Sequence, residues 1–148
     1  MSVKTVTTTA QWTGGTATKI RIGSHEFYMD QTKEQGGSDL GPAPVQYFLA
    51  AIAGCLSLVG RLVAKEMGIT LNSMEFTTAG DIDFDGFSGK NPEVKSGLKS
   101  ISVNLKVDSD AESKVLQQWL AVARKRCPVL DNLDNPTALP ISVKLLLP

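Results

Sequence analysis

Residues Pro44–Met67 read PVQYFLAAIAGCLSLVGRLVAKEM, and the first half of this stretch decides the fold. Pro44 suits the first position of a helix, because its missing N–H would lack an intrahelical partner there in any case. Gly68 is the natural stop at the other end. Between Tyr47 and Val59 the only polar side chains are Cys55 and Ser57, so the helix is apolar on every face. Such a helix is buried all round. In a chain of 148 residues, that requires a sheet that wraps it, a second copy that covers it, or both. The apolar run is 13 residues, too short to span a bilayer.

On the N-terminal side, residues 31–43 (QTKEQGGSDLGPA) form a Gly-rich polar loop of a length that often carries function. Before it come strands. Val3, Thr5, Thr7 and Thr9 alternate in a β-branched run ending near Trp12, and Gly14-Gly15 marks a turn. Ala17–Ile22 and His25–Asp30 flank Gly23-Ser24, a dipeptide suited to a tight hairpin with Gly at the first central position. The reading is a three-stranded meander. On the C-terminal side, 71–84 and 97–107 alternate as strands around a Gly/Pro/Asn-rich loop at 86–97. Ser109-x-x-Glu112 has the form of a capping box, with an apolar stripe Val115, Leu116, Trp119, Leu120 and Ala123 after it, so a second helix is predicted over 111–126. Cys127 ends it or follows it, because Pro128 disfavours helix at the residue before. Ile141–Leu147 reads as a closing strand. The order β-β-β-α-β-β-α-β predicts a mainly antiparallel α+β fold in a single domain, 1–148.

Composition narrows the function classes. Fifteen basic and fifteen acidic side chains cancel, which leaves no basic excess for neutralising phosphates, so nucleic acid is not expected as a partner. The polar, Thr-rich first 15 residues do not resemble a signal peptide. The expectation is a soluble, cytoplasmic protein. Two cysteines without CxxC spacing argue against structural zinc. Asp81, Asp83 and Asp85 share one face of a strand, but they lack the glycine and terminal glutamate of a calcium loop, and read as a solvated face. His25 reads as an ordinary strand residue.

Local chemistry leaves two roles open for Cys55. In an apolar mid-helix setting it packs as a small hydrophobe; to attack a peroxide it needs a nearby cation or donor to raise its thiolate fraction. Cys127 follows Arg124, Lys125 and Arg126, which favour a thiolate, but it lies at the negative end of a helix dipole, which opposes one. Local grounds leave it undecided.

The segments GGSDLGPAPVQYFLAAIAGC (36–55) and ARKRCPVLDNL (123–133), at this separation, resemble the OsmC/Ohr superfamily of osmotically induced and organic-hydroperoxide-resistance proteins. The resemblance implies an intertwined homodimer in which sheets wrap two long central helices. It implies a peroxidatic Cys55 and a resolving Cys127, acting on organic or hydrogen peroxide, with an external dithiol as reductant and no cofactor or metal. The chain also departs from the pattern. Val45 and Gln46 stand where branches of the family carry a glutamate, and Gly15 is followed by Thr-Ala-Thr where an activating arginine is expected. Gln46, Arg21, Arg61 and Arg126 are the candidates to support the thiol. Those departures motivate an alternative: a non-enzymatic module that binds an apolar small molecule at the dimer interface.

Overall fold

The computed structural model describes residues 3–145. It is an α+β chain with two antiparallel sheets, and its contacts cluster into two compact units that divide at Ala50/Ala51.

The first unit holds the meander: β1 (Thr9–Gly14), β2 (Ala17–Ile22) and β3 (His25–Met29), paired in that order. Ile22 pairs with His25, so Gly23-Ser24 is a two-residue hairpin loop, and Gly23 takes the positive φ of 57° that its position demands. The strand begins at Thr9; residues 3–8 are irregular and exposed. The polar loop 31–43 is organised by Asp30, a buried carboxylate. Its Oδ1 accepts from Thr16 Oγ1 at 2.5 Å and from the Gln31 N–H at 2.8 Å, and its Oδ2 accepts from the Ser38 and Leu40 N–H groups at 3.0 and 3.2 Å. These hydrogen bonds, the Thr16 hydroxyl foremost, hold its pKa down to about 2. Gly37 and Gly41 let this loop fold flat: a Cβ on either would lie within 2.2 Å of the Gln31 or Tyr28 carbonyl oxygen.

Helix α1 runs from Pro44 to Met67 as expected, and Gly68 ends it at φ 69° with the Ile69 N–H donating to the Ala64 carbonyl, a Schellman closure. At 24 residues the whole helix is long and apolar enough to cross a membrane by length and composition, although the 13-residue run alone is not. It is not covered all round within one chain. Ile52, Leu56, Val59, Gly60, Val63 and Ala64 are buried, while Leu58 and Leu62 are 61% and 49% exposed.

The second unit places the rest of α1 on a long two-stranded ribbon of β4 (Leu71–Ile82) and β5 (Leu98–Ser109). The inward register pairs Met74 with Val107 and Phe76 with Leu105. A short helix, α2 (Phe84–Phe87), occupies the start of the segment read as loop, N-capped by Asp83 accepting from the Asp85 N–H. Helix α3 spans Ser113–Lys125, two residues later at its start than predicted. The capping box does not form, because Ser109 is still strand. Its hydroxyl donates to the Thr70 carbonyl across the ribbon and accepts from the Ala111 N–H, which leaves it no reach to the helix. Trp119 and Ala123 of α3 join Val59, Val63 and Ala64 in the core of this unit. A further helix, α4 (Pro128–Asp134), goes beyond the predicted elements: Pro128 ends one helix by opening the next. Residues 136–145 carry no strand. Ile141, Val143 and Leu145 keep their alternation but are exposed and unpaired, and Leu146 and Leu147 lie outside the described residues.

Candidate active site

The two cysteines, 72 residues apart in sequence, meet in the second unit. Cys55 lies on α1 beside the core cluster. Opposite it, Trp119 inserts its indole against α1 and donates from Nε1 to the Gly60 carbonyl at 2.8 Å, a buried hydrogen bond that fixes α3 on α1. Beyond the end of α3, Cys127 takes an extended conformation (φ −79°, ψ 110°) before Pro128. That break turns the side chain inward. Cys127 is fully buried, Cys55 half-buried, and their Sγ atoms face each other at 2.7 Å, inside non-bonded contact. The two side chains are therefore neighbours, as a disulfide between them requires.

The environment does not by itself make Cys55 a strong nucleophile. Burial raises its thiol pKa, and hydrogen bonding with Cys127 adds to the rise; the Val129 backbone N–H, in the first turn of α4, pulls it down. Within this unit both arginines near Cys127 in sequence are committed elsewhere. Arg126 forms a two-pronged pair with Glu66 of α1, through Nη1 to Oε2 and Nη2 to Oε1, the latter at 3.1 Å. Arg124 pairs with Asp134 of α4 at 2.8 Å.

The remaining predicted residues take other partners or positions. Arg61 lines an open cleft between α1 and β4. In the first unit, Arg21 of β2 pairs with Glu26 of β3 at 2.9 Å on an exposed sheet face. Gln46 is engaged in capping α1, where its Oε1 accepts from the Ala43 N–H at 2.8 Å, the reciprocal half of a helix N-cap. His25 is exposed at the start of β3. Asp81, Asp83 and Asp85 do not share a strand face, because β4 ends at Ile82, Asp83 caps α2 and Asp85 lies in it; Asp81 meets Ser100, Asp83 Lys99 and Asp85 Lys90, and no cluster suited to a metal occurs among the described residues.

Two members of this surrounding are not marked in the sequence, Glu66 and the α4 N–H. Glu66 is legible only as one residue of a helix end; nothing in the linear order identifies it as the partner of Arg126. The α4 donor is hidden when Pro128 is read solely as a terminator. A second cavity, about 390 Å³, lies against Leu56, Phe76, Leu105, Leu120 and Leu130, with Arg124 and Asp134 at its edge.

Comparison with known proteins gives the family and the fold. The family model described as OsmC-like protein matches residues 36–142, a span that contains both cysteines. A hydroperoxide reductase of Mycoplasma genitalium is 25% identical over 108 residues, covering 72% of each chain. The crystal structure of an OsmC-like protein from Mycoplasma pneumoniae superposes with a TM-score of 0.77 over 90% of this chain and 89% of that one, at 19% identity. The organic hydroperoxide resistance protein OhrB of Bacillus subtilis gives a TM-score of 0.60, covering 91% and 94% of the two chains at 24% identity.

Proposed function

The chain belongs to the OsmC-like protein family, and from that premise we propose that it is a thiol-dependent peroxidase of peroxide-stress defence. The observation that carries the reading is the 2.7 Å approach of two free thiols, one half-buried and one fully buried, inside the span that the family model matches. The Cys55 thiolate attacks the distal oxygen of a hydroperoxide. The O–O bond breaks, the alcohol leaves with a proton, and Cys55 is left as a sulfenic acid. Cys127 then attacks the Cys55 sulfur, water leaves, and a disulfide joins the two. An external dithiol exchanges with that disulfide and returns both thiols.

A raised Cys55 pKa must be offset for this cycle to run, and assembly is the source we propose. Leu58 and Leu62 on α1, and the alternating Leu139, Ile141, Val143 and Leu145, form apolar surface that one chain leaves in water. Large apolar side chains exposed in such number mark surface that a partner covers. A homodimer in which the second copy covers α1 removes this exposure, and a cation that the second copy brings to the thiol site would favour the thiolate and so offset the burial. The test is turnover of cumene hydroperoxide with dithiothreitol. Cys55→Ser is expected to abolish it, and Cys127→Ser, in the absence of dithiothreitol, to stop after one equivalent with a sulfenic acid trapped by dimedone. Equal turnover by Cys55→Ser would end the proposal.

The 390 Å³ cavity supports a second reading, that of a module binding an apolar small molecule without turnover. Native mass spectrometry with a thiol titration separates the two. A co-purifying ligand and a Cys55 pKa at or above the ordinary thiol value favour binding alone; a strongly lowered pKa favours the peroxidase.

A further inference from the structure

Two adjacent residues of the turn between α3 and α4 reach α1, and Cys127 is one of them. The other is Arg126. Cys127 meets Cys55, while the Arg126 guanidinium meets both carboxylate oxygens of Glu66. Cys55 and Glu66 are eleven residues apart, three turns of helix, so they project from one face of α1 at a separation of about 16 Å along its axis. The turn therefore holds α1 at two points. Arg124 braces the same turn from the other side by pairing α3 with Asp134 at the end of α4. All of these are contacts within one chain, so each copy of a homodimer carries them.

Helix α1 does not by itself account for Glu66. A carboxylate in the last turn of a helix opposes the dipole, whereas Lys65 beside it complements the dipole. Arg126, at the C-cap of α3, is already favourable to its own helix. Glu66 is thus the member of the pair that only the pairing explains, and its partner is the residue next to a thiol. The hydrogen bond from Arg126 holds the Glu66 carboxyl below its ordinary pKa, which keeps it charged at neutral pH.

We infer, resting on the peroxidase reading, that Glu66 is a positioning residue for the capture of oxidised Cys55 by Cys127. By holding Arg126 it keeps the turn docked on α1 and Cys127 facing Cys55. In that step the Cys127 sulfur attacks the Cys55 sulfenic sulfur, the S–O bond breaks, water leaves and the S–S bond forms. Glu66 touches none of the reacting atoms. It raises the fraction of chains in which Cys127 is in place, and the earlier attack on hydroperoxide does not depend on it.

By reciprocity the ion pair can favour closure of the disulfide only as far as closure favours the pair, which for an exposed pair is a few-fold. The first measurement needs no hydroperoxide: the full-length protein is equilibrated in glutathione buffers of graded thiol-to-disulfide ratio, which gives the closure constant of the Cys55–Cys127 disulfide. Glu66→Gln is expected to lower it about two- to fivefold. Lys65→Gln, the control beside it, is expected to leave it unchanged. The exchange Glu66→Arg/Arg126→Glu, which restores a pair of reversed sign, is expected to recover most of the loss. Because the pair is exposed, Tm of Glu66→Gln should stay within about 2 °C, so that a lower closure constant does not report a damaged fold. An unchanged closure constant in Glu66→Gln, or no recovery in the exchange, would overturn the inference. Stopped flow with cumene hydroperoxide then separates the two steps: Cys55 should oxidise at the same rate in Glu66→Gln, and the disulfide should form about two- to fivefold more slowly. A faster first step would also overturn the inference, because Glu66 would then act by withholding Arg126 from the Cys55 thiol. If the unmodified protein forms no sulfenic acid at all, the peroxidase reading fails, while the closure constant still decides the role of Glu66.

Discussion

At Gly60 the Trp119 indole of α3 packs directly on the backbone of α1, and replacing this glycine by alanine tests whether that contact sets the position of Cys127. A Cβ at this position would lie 2.9 Å from Trp119 Cζ2 and 3.7 Å from Met74 Sδ. The indole cannot simply swing aside. It is buried, and its Nε1 is tied to the carbonyl of Gly60 itself at 2.8 Å. In an unconstrained helix interior the substitution would stabilise by about 1 kcal/mol. Here overpacking costs about 1–3 kcal/mol, and loss of the buried indole hydrogen bond adds about 1 kcal/mol. The net expectation is a destabilisation of about 1–3 kcal/mol, seen as a fall of about 3–9 °C in Tm for a chain of this size. Thermal unfolding at one fixed protein concentration measures it. Because α3 leads directly to Cys127, the variant should also close the Cys55–Cys127 disulfide more slowly under a glutathione buffer. In a double-mutant cycle with Trp119→Phe, which removes both Cζ2 of the indole and its N–H, the two losses should fall short of additivity by about 1 kcal/mol. An unchanged or raised Tm for Gly60→Ala would refute the reasoning, since α3 would then not be pinned at this glycine.

Glu66→Gln loosens the clamp on the residue beside Cys127; since the pair is exposed, closure of the disulfide should slow only a few-fold, and raising salt should slow the unmodified protein in the same direction. Stopped-flow tryptophan fluorescence at low and high salt checks both. Asp30→Asn replaces an acceptor of four hydrogen bonds by a group that can serve only part of them, so Tm should fall. The pH dependence has a definite sign. The folded carboxyl titrates near 2 against an ordinary 3.8, so its stabilisation is present above about pH 4 and is lost as the pH falls towards 2. Thermal scans should show this loss in the unmodified protein and a flatter profile in Asp30→Asn. Leu58→Asp places a charge on the apolar face that one chain leaves exposed; sedimentation equilibrium should find two 15.8 kDa chains associated in the unmodified protein and a dissociated or misfolded variant. A folded species at the single-chain mass in the unmodified protein would contradict the dimer.

What is legible in the sequence is whatever local chemistry decides. Pro44 and Gly68 bound α1 because both act through their own backbone, and Gly23-Ser24 fixes the β2–β3 hairpin for the same reason. Features that depend on a distant partner are not legible. Ser109 has the spacing of a cap, yet a carbonyl 39 residues away takes its hydroxyl. Ile141–Leu145 alternate as a strand, but a strand needs an edge to pair with, and within one chain they find none. The cysteines are marked by a resemblance rather than by their surroundings, and local grounds leave Cys127 undecided. The structure brings the two thiols together, while it commits Arg21, Arg126 and Gln46 to partners that the linear order does not disclose.

The central claim is that Cys55 reacts with hydroperoxide and Cys127 captures the product. Intact mass after one equivalent of cumene hydroperoxide tests it most directly. The expected result is the loss of two hydrogens per chain in the unmodified protein, no change in Cys55→Ser, and the gain of one oxygen in Cys127→Ser. Two free thiols persisting in the unmodified protein after minutes in excess hydroperoxide would contradict it.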